Sequence, residues 1–227
     1  MLFYDYYYII LVVPALLISF IAQINVKKTY TNMAKISNAR HITGAEAAMR
    51  VLSHYGINNV RIEMTRGKLT DHYDPRSNVI RLSPEVFSGS SIASVGIACH
   101  EAGHAAQHAM NYAPIKVRNV VLPVANIGSS MGFTIAIIGY FMGLELIVNI
   151  GIILFAAVVV FQFVTLPVEF NASSRALKVI GETDILYENE IPKARKVLRA
   201  AALTYVASLL VSIMSLLRLV LRTNRRR

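Results

Sequence analysis

The stretch "GIACHEAGHAAQH", residues 96–108, holds His100, Glu101 and His104 in the order His-Glu-x-x-His. On a helix, residues four apart lie about 40° from each other around the axis and one turn apart along it, so both imidazoles share a face. Two such nitrogens can ligate one tetrahedral zinc ion. Glu101, the next residue round the helix from His100, is near enough to take a proton from water at that ion without being a ligand. Zinc brings the pKa of such water from about 15.7 to about 7 and polarises a carbonyl. A glutamate beside it can act as general base and pass the proton to a leaving amine. The chemistry on offer is hydrolysis of a peptide bond. The competing reading is a plain helix with surface histidines, since a five-residue pattern recurs in unrelated chains. Gly103 and the alanines at 98, 102, 105 and 106 weigh against it, because they make a helix that packs closely under a metal site.

A third ligand is needed. His108 continues the four-residue series, but eight residues of straight helix put it about 12 Å along the axis from His100, too far for one ion. A contact or supporting role suits it better. Glu169, in "LPVEFNASSRAL", is the stronger candidate. A carboxylate within two residues of an apolar run is costly unless paired or bound. The plainer reading is a helix-start acid beside Pro167, favoured by the helix dipole. Two membrane crossings between His104 and Glu169 would return the chain to the face it left, which favours the ligand reading. His72, in "TDHYDP", approaches the site if the strand Val79–Leu82 lies beside the metal helix and holds an extended peptide by β-augmentation. Asp71, His72, Tyr73 and Asp74 equally make a hairpin turn with Pro75. Cys99, the single cysteine, excludes an intramolecular disulfide, fits a reducing compartment and reads as a buried thiol facing away from His100.

These groups must be positioned beside a membrane. With 55% hydrophobic and 16% charged residues and a mean hydropathy of +0.49, the chain is too apolar for an ordinary soluble domain. About 20 apolar residues cross a bilayer. Windows of that length run over Tyr6–Ile24, over Val120–Pro167, which is long enough for two passes, and over Ala200–Leu217. The first opens "MLFYDYYY" with no basic residue ahead of it and reads as a retained signal anchor. Its tyrosines at 4, 6, 7 and 8 suit the headgroup level. Net charge is +10, and residues 25–119 hold twelve Lys and Arg against six Asp and Glu, Lys27 and Lys28 among them. That bias marks a cytoplasmic side and not a nucleic-acid surface. The N-terminus is then outside. Five arginines after Leu217 run against this if all four apolar segments cross, so the last one either fails to span, lying in the interface or against the other helices, or overrides the rule.

Between the spans, Thr43 and Glu46 have capping-box spacing and Gly56 stands at a stop, so this stretch predicts a helix. "NVRIEM", "KLTDHY" and "VIRL" alternate with turns and predict a small antiparallel sheet. Ser83 before Pro84 and Glu85 starts one helix, and Ser90 or Ser91 starts the helix that carries the histidines. Membrane helices are predicted at about Val117–Phe141 and Leu146–Leu166. The expected organisation is an anchor at 1–26, a zincin-like region at 27–116, a transmembrane hairpin at 117–167, a cytoplasmic segment with the third ligand at 168–199, and a hydrophobic helix with a basic tail at 200–227. A transporter would want polar groups at the middle of several spans. Asn126, Ser129 and Ser130 are the only cluster of that sort, and helix contacts explain it.

The order His-Glu-x-x-His, membrane hairpin, then Glu-x-x-Ala resembles that of the HtpX class of membrane gluzincins. The longer strings "LTDHYDP", "HEAGHAAQHAMNYAPIKVR", "PVANIGSS" and "QFVTLPVEFNASSRAL" are similar to the bacterial YugP-type neutral zinc metallopeptidase family, over about Thr43 to Leu177. The resemblance implies His100, His104 and Glu169 as zinc ligands and Glu101 as catalytic acid and base. Ser173 departs from the HtpX class, which carries an aspartate there behind the ligands. Asn171 or Arg175 takes that role, binds the oxyanion, or only caps and solvates a helix. The expectation is a mainly α membrane protein with three to four transmembrane or membrane-associated helices and a small cytoplasmic α+β zincin-like domain. It would be a multi-pass protein of the bacterial inner membrane that uses Zn2+ to cut membrane-associated or misfolded polypeptides. A different class of function stands beside it, a catalytically silent zinc-binding scaffold or regulator.

Overall fold

The computed structural model describes residues 5–224, so Tyr4 and the arginines at 225, 226 and 227 lie outside the described residues. In chain order the elements are α1 (Val13–Ala34), α2 (Gly44–His54), β1 (Arg61–Met64), β2 (His72–Asp74), β3 (Val79–Leu82), α3 (Pro84–Phe87), α4 (Ile92–Ala109), α5 (Ala113–Ile127), α6 (Phe133–Met142), α7 (Glu145–Glu182) and α8 (Ile191–Asn224). Two π-helical stretches, Tyr8–Val12 and Gly128–Gly132, lead into α1 and α6. The chain divides into two units: residues up to Gln23 with Lys116–Pro167 and the stretch from Leu203 on, and Ile24–Ile115 with Val168–Ala202.

The first unit is apolar. Four helices are long and apolar enough to cross a membrane, Tyr8–Ala34, Ala113–Met142, Glu145–Glu182 and Ile191–Thr223. The shortest has 27 residues, more than the roughly 20 that a bilayer core requires. Val120, Leu146 and Ile153 point outward, a surface suited to lipid and not to water. Where α6 meets α7, small residues take the place of side chains. A Cβ on Gly139 would come 2.6 Å from the Val148 amide nitrogen, and one on Gly132 3.0 Å from that of Phe155. Close backbone approach of this kind drives helix association in membranes, where excluding water contributes nothing. Gly143, at φ +70°, ends α6 in the left-handed conformation that a side chain would strain. Ser129 and Ser130 both donate to the Asn126 carbonyl, so this polar cluster serves its own backbone. Asp5 accepts from Nε and Nη2 of Arg218 at 3.2 and 3.1 Å and from Nη1 of Arg222 at 2.9 Å, tying the end of α8 to the chain just before the first helix.

The helix expected to end at about Leu166 runs on in α7, and the plainer alternative for Glu169 fails with it. Pro167 does not begin a helix: α7 runs through it to Glu182, which leaves Glu169 deep in a helix interior. A mid-helix proline removes one backbone hydrogen bond, a loss that membrane helices tolerate. The helix-start reading of Glu169 therefore falls.

The second unit surrounds α4. The capping box is in place, with the Glu46 N–H donating to Thr43 Oγ1 at 3.2 Å and the Thr43 N–H to Glu46 Oε2 at 2.8 Å. Gly56 follows α2 at φ +67°. The core gathers Val51, Ile80, Leu82, Ile92, Val95 and Ile180, all at 0% exposure. Cys99 is equally buried, and burial pushes its thiol pKa up. The sheet is mixed where an antiparallel one was expected. Its order is β1-β3-β2: β3 pairs antiparallel with β2 (Tyr73↔Ile80) and parallel with β1 (Arg61↔Val79). β3 takes the centre because Val79, Ile80 and Leu82 are buried, whereas β1 and β2 have no buried residue. Being paired on both sides, β3 offers no edge to a substrate strand, which corrects that expectation as well.

Leucine in place of Gly139 should destabilise the protein by about 1–3 kcal/mol, the usual cost of overpacking. Ile138→Leu, at an exposed position of the same helix, should be close to neutral. Thermal unfolding in detergent compares the two.

Candidate metal centre

α4 is made to approach another helix. Ser91 caps it by accepting the Ser94 N–H at 3.0 Å, and the face toward α7 is alanine and glycine. A Cβ on Gly103 would sit 2.6 Å from the Ala172 carbonyl oxygen. The two backbones touch at that point, so the polar side chains flanking it must meet across the seam.

They do meet. His100 Nε2 lies 3.3 Å and His104 Nε2 3.6 Å from the same oxygen, Glu169 Oε2. One donor atom from each residue falls within 4.8 Å of the others. Bonds of about 2.0–2.2 Å in a tetrahedron put donors about 3.3–3.6 Å apart, so the two nitrogen-to-oxygen separations match those of a zinc site. Glu169 is 4% exposed, and among the described residues its ion-pair partners are these two histidines alone. Burial disfavours charge on the His104 ring. A hydrogen bond to Glu169 and the carboxylates of Glu101 and Glu169 outweigh that and raise its pKa.

Glu101 follows His100 on α4 and stands outside this trio. Its Oε2 accepts the backbone N–H of Tyr73 at 3.0 Å, so the edge of β2 holds the carboxylate in place. His108 turns to Tyr73, ring centroids 5.7 Å apart, and is not part of the trio. His72 is exposed, with Nδ1 2.7 Å from the Thr70 carbonyl, and does not join either. Its neighbours organise the hairpin. Asp71 accepts from the N–H and Oγ of Ser83. Asp74 accepts from Ser77 Oγ and the Arg76 N–H, contacts that hold its pKa down at about 2.

Three supporting contacts escaped the sequence reading. Ser173 Oγ lies 3.1 Å from His100 Nδ1, behind the ligand face. Gln107, fully buried, puts Oε1 3.0 Å from His104 Nδ1 and donates from Nε2 to the Val168 carbonyl and to Asn171 Oδ1. The Tyr73 N–H is a backbone group with no residue-type signature. Gln107 did carry a signal, since it is the one polar residue three positions after His104 in a run of alanines.

Comparison with known proteins bears on this geometry. The family model described as "Putative neutral zinc metallopeptidase" matches residues 8–224. The chain belongs to this family. It is also 45% identical over 214 residues to "Putative membrane protease YugP" of Bacillus subtilis (strain 168), covering 94% of this chain and 95% of that one. No solved structure matches. Family membership implies a zinc ion, and the trio is a donor set of the kind zinc takes.

Two outcomes follow. Gly103→Val forces α4 and α7 apart and should weaken zinc retention roughly tenfold or more, read by competition with a chelator of known affinity. With His104 as a ligand, zinc would have to displace a proton from its ring. A raised pKa keeps that ring protonated to higher pH, so apparent zinc affinity should fall as pH drops, beginning above the ordinary imidazole value of about 6.5. Titration of bound zinc against pH at fixed chelator measures this.

Proposed function

We propose that the protein is a zinc-dependent endopeptidase of the bacterial inner membrane, with its active site on the cytoplasmic side. The observation that carries the reading is the convergence of one donor atom each from His100, His104 and Glu169 within 4.8 Å, with Glu101 next to His100 on α4. When bound, zinc supplies a Lewis acid that acidifies water and polarises a peptide carbonyl. His100, His104 and Glu169 hold the ion. Glu101 takes the proton from the attacking water and delivers it to the leaving amine. The Tyr73 N–H fixes the Glu101 carboxylate in the orientation this transfer needs.

Because that N–H is directed at Glu101, the unpaired edge of β2 faces the site. Because α7 carries Glu169 directly after an apolar run of membrane-spanning length, the substrate class we assign is misfolded or membrane-associated polypeptides. Orientation is supported by charge. Eighteen of the 23 Lys and Arg lie in residues 25–119 and 168–199, the stretches that hold the site, and such excess belongs to the cytoplasmic side. The five Lys and Arg outside those stretches are the arginines after Leu217.

Glu101→Gln keeps the shape of the side chain and loses the base. Zinc content should remain as in wild type while cleavage of an unfolded substrate such as casein falls by roughly 10²–10⁴-fold. Chelation should abolish wild-type cleavage and added zinc restore it. A wild type that binds zinc and cleaves nothing would point instead to the scaffold role.

A further inference from the structure

We propose that Arg175 is a positioning residue that sets the orientation of His104 through two intervening amides, leaving the Nε2 lone pair of the ring directed at the metal position. The argument begins from a group with no choice. A guanidinium only donates hydrogen bonds, and Arg175 Nε donates to Asn171 Oδ1 at 2.8 Å. Its head lies over the rings of Tyr55 and Tyr112, 5.8 and 6.0 Å from their centroids, with Nη1 on Met110 Sδ. Asn171 must therefore turn its oxygen, and not its amide nitrogen, toward this side.

That same oxygen accepts from Gln107 Nε2 at 3.0 Å. The other Nε2 hydrogen goes to the Val168 carbonyl at 2.7 Å, an obligate acceptor. With both hydrogens used, Gln107 Oε1 is the atom that faces His104 Nδ1, 3.0 Å away. An amide oxygen cannot donate, so Nδ1 carries the hydrogen. In a neutral imidazole the free lone pair is then on Nε2, the nitrogen 3.6 Å from Glu169 Oε2. Gln107 is at 0% exposure, so solvent does not compete for these bonds.

Val168 alone biases Gln107, but Asn171 could still flip and set its NH2 against that of Gln107. Arg175 removes this second state. Among the described residues His100 Nδ1 has a different partner, the Ser173 hydroxyl, which both donates and accepts and so imposes no direction. The bland role for Arg175 is a cation beside the C-terminal end of α4, favourable with the helix dipole. That role has no use for Asn171 or for a particular ring nitrogen.

The inference rests on His104 being a zinc ligand, and the experiment separates the two. Full-length protein in detergent, labelled with ¹⁵N-histidine and loaded with zinc, is read by NMR and by chelator competition. Expected are His104 bound through Nε2 with a proton on Nδ1, zinc affinity weakened roughly tenfold in Arg175→Met and in Asn171→Leu, and affinity close to wild type in Asn171→Asp, whose carboxylate still accepts from both neighbours. Zinc bound as tightly in Arg175→Met as in wild type would overturn the relay, as would Asn171→Asp failing as badly as Asn171→Leu. An unprotonated Nδ1 on His104 in the zinc-loaded wild type overturns it without any variant having to fold. Wild type that binds no zinc overturns the metal-centre reading itself, and the relay with it.

Discussion

A carboxylate buried in a helix seam with only imidazoles for company is the constraint around which this protein is arranged. Removing a charged acid from water costs several kcal/mol unless something compensates, and neither lysine nor arginine pairs with Glu169 among the described residues. What stands beside it is two imidazole nitrogens at 3.3 and 3.6 Å, which with the carboxylate make a donor set suited to a cation. The rest of the second unit serves that need. α4 is stripped to alanine and glycine so that α7 can approach, and the contact of Gly103 with the Ala172 carbonyl sets the distance at which the histidines and the acid face each other.

Around this centre the polar groups divide by function. On one side Tyr73 holds Glu101, so a strand edge and a prospective base are joined by one backbone hydrogen bond. Behind the centre Ser173 and Gln107 support the two rings, and neither is charged. An aspartate at 173, as the HtpX class carries, would add negative charge behind His100 and make it a more basic donor. This chain uses neutral partners at both rings and leaves Glu169 as the anionic member of the trio.

Much of this is legible in the sequence. His100 and His104 share a face because helical spacing dictates it, and Glu169 stood out because an acid at the edge of an apolar run demands a reason. The capping box at Thr43 and the four long apolar helices were equally legible, being local or compositional properties. The sheet was not. Alternation in "NVRIEM" and "VIRL" says that strands exist but not which neighbours they choose, and β3 won the centre through burial that only tertiary packing creates. The helix-start alternative for Pro167 fails for a related reason: that is its local preference, and the apolar run on one side with the small-residue seam on the other overrides it. Gln107 and the Tyr73 N–H belong to contacts between elements distant in sequence, which no spacing rule reports.

The burial of Cys99 has a practical side. A thiol with 0% exposure and a raised pKa presents almost no thiolate to solvent, so maleimide reagents should pass the native protein by. Thiol chemistry at introduced sites would then start from a silent background, and reaction at residue 99 would itself report that the packing around α4 had come undone.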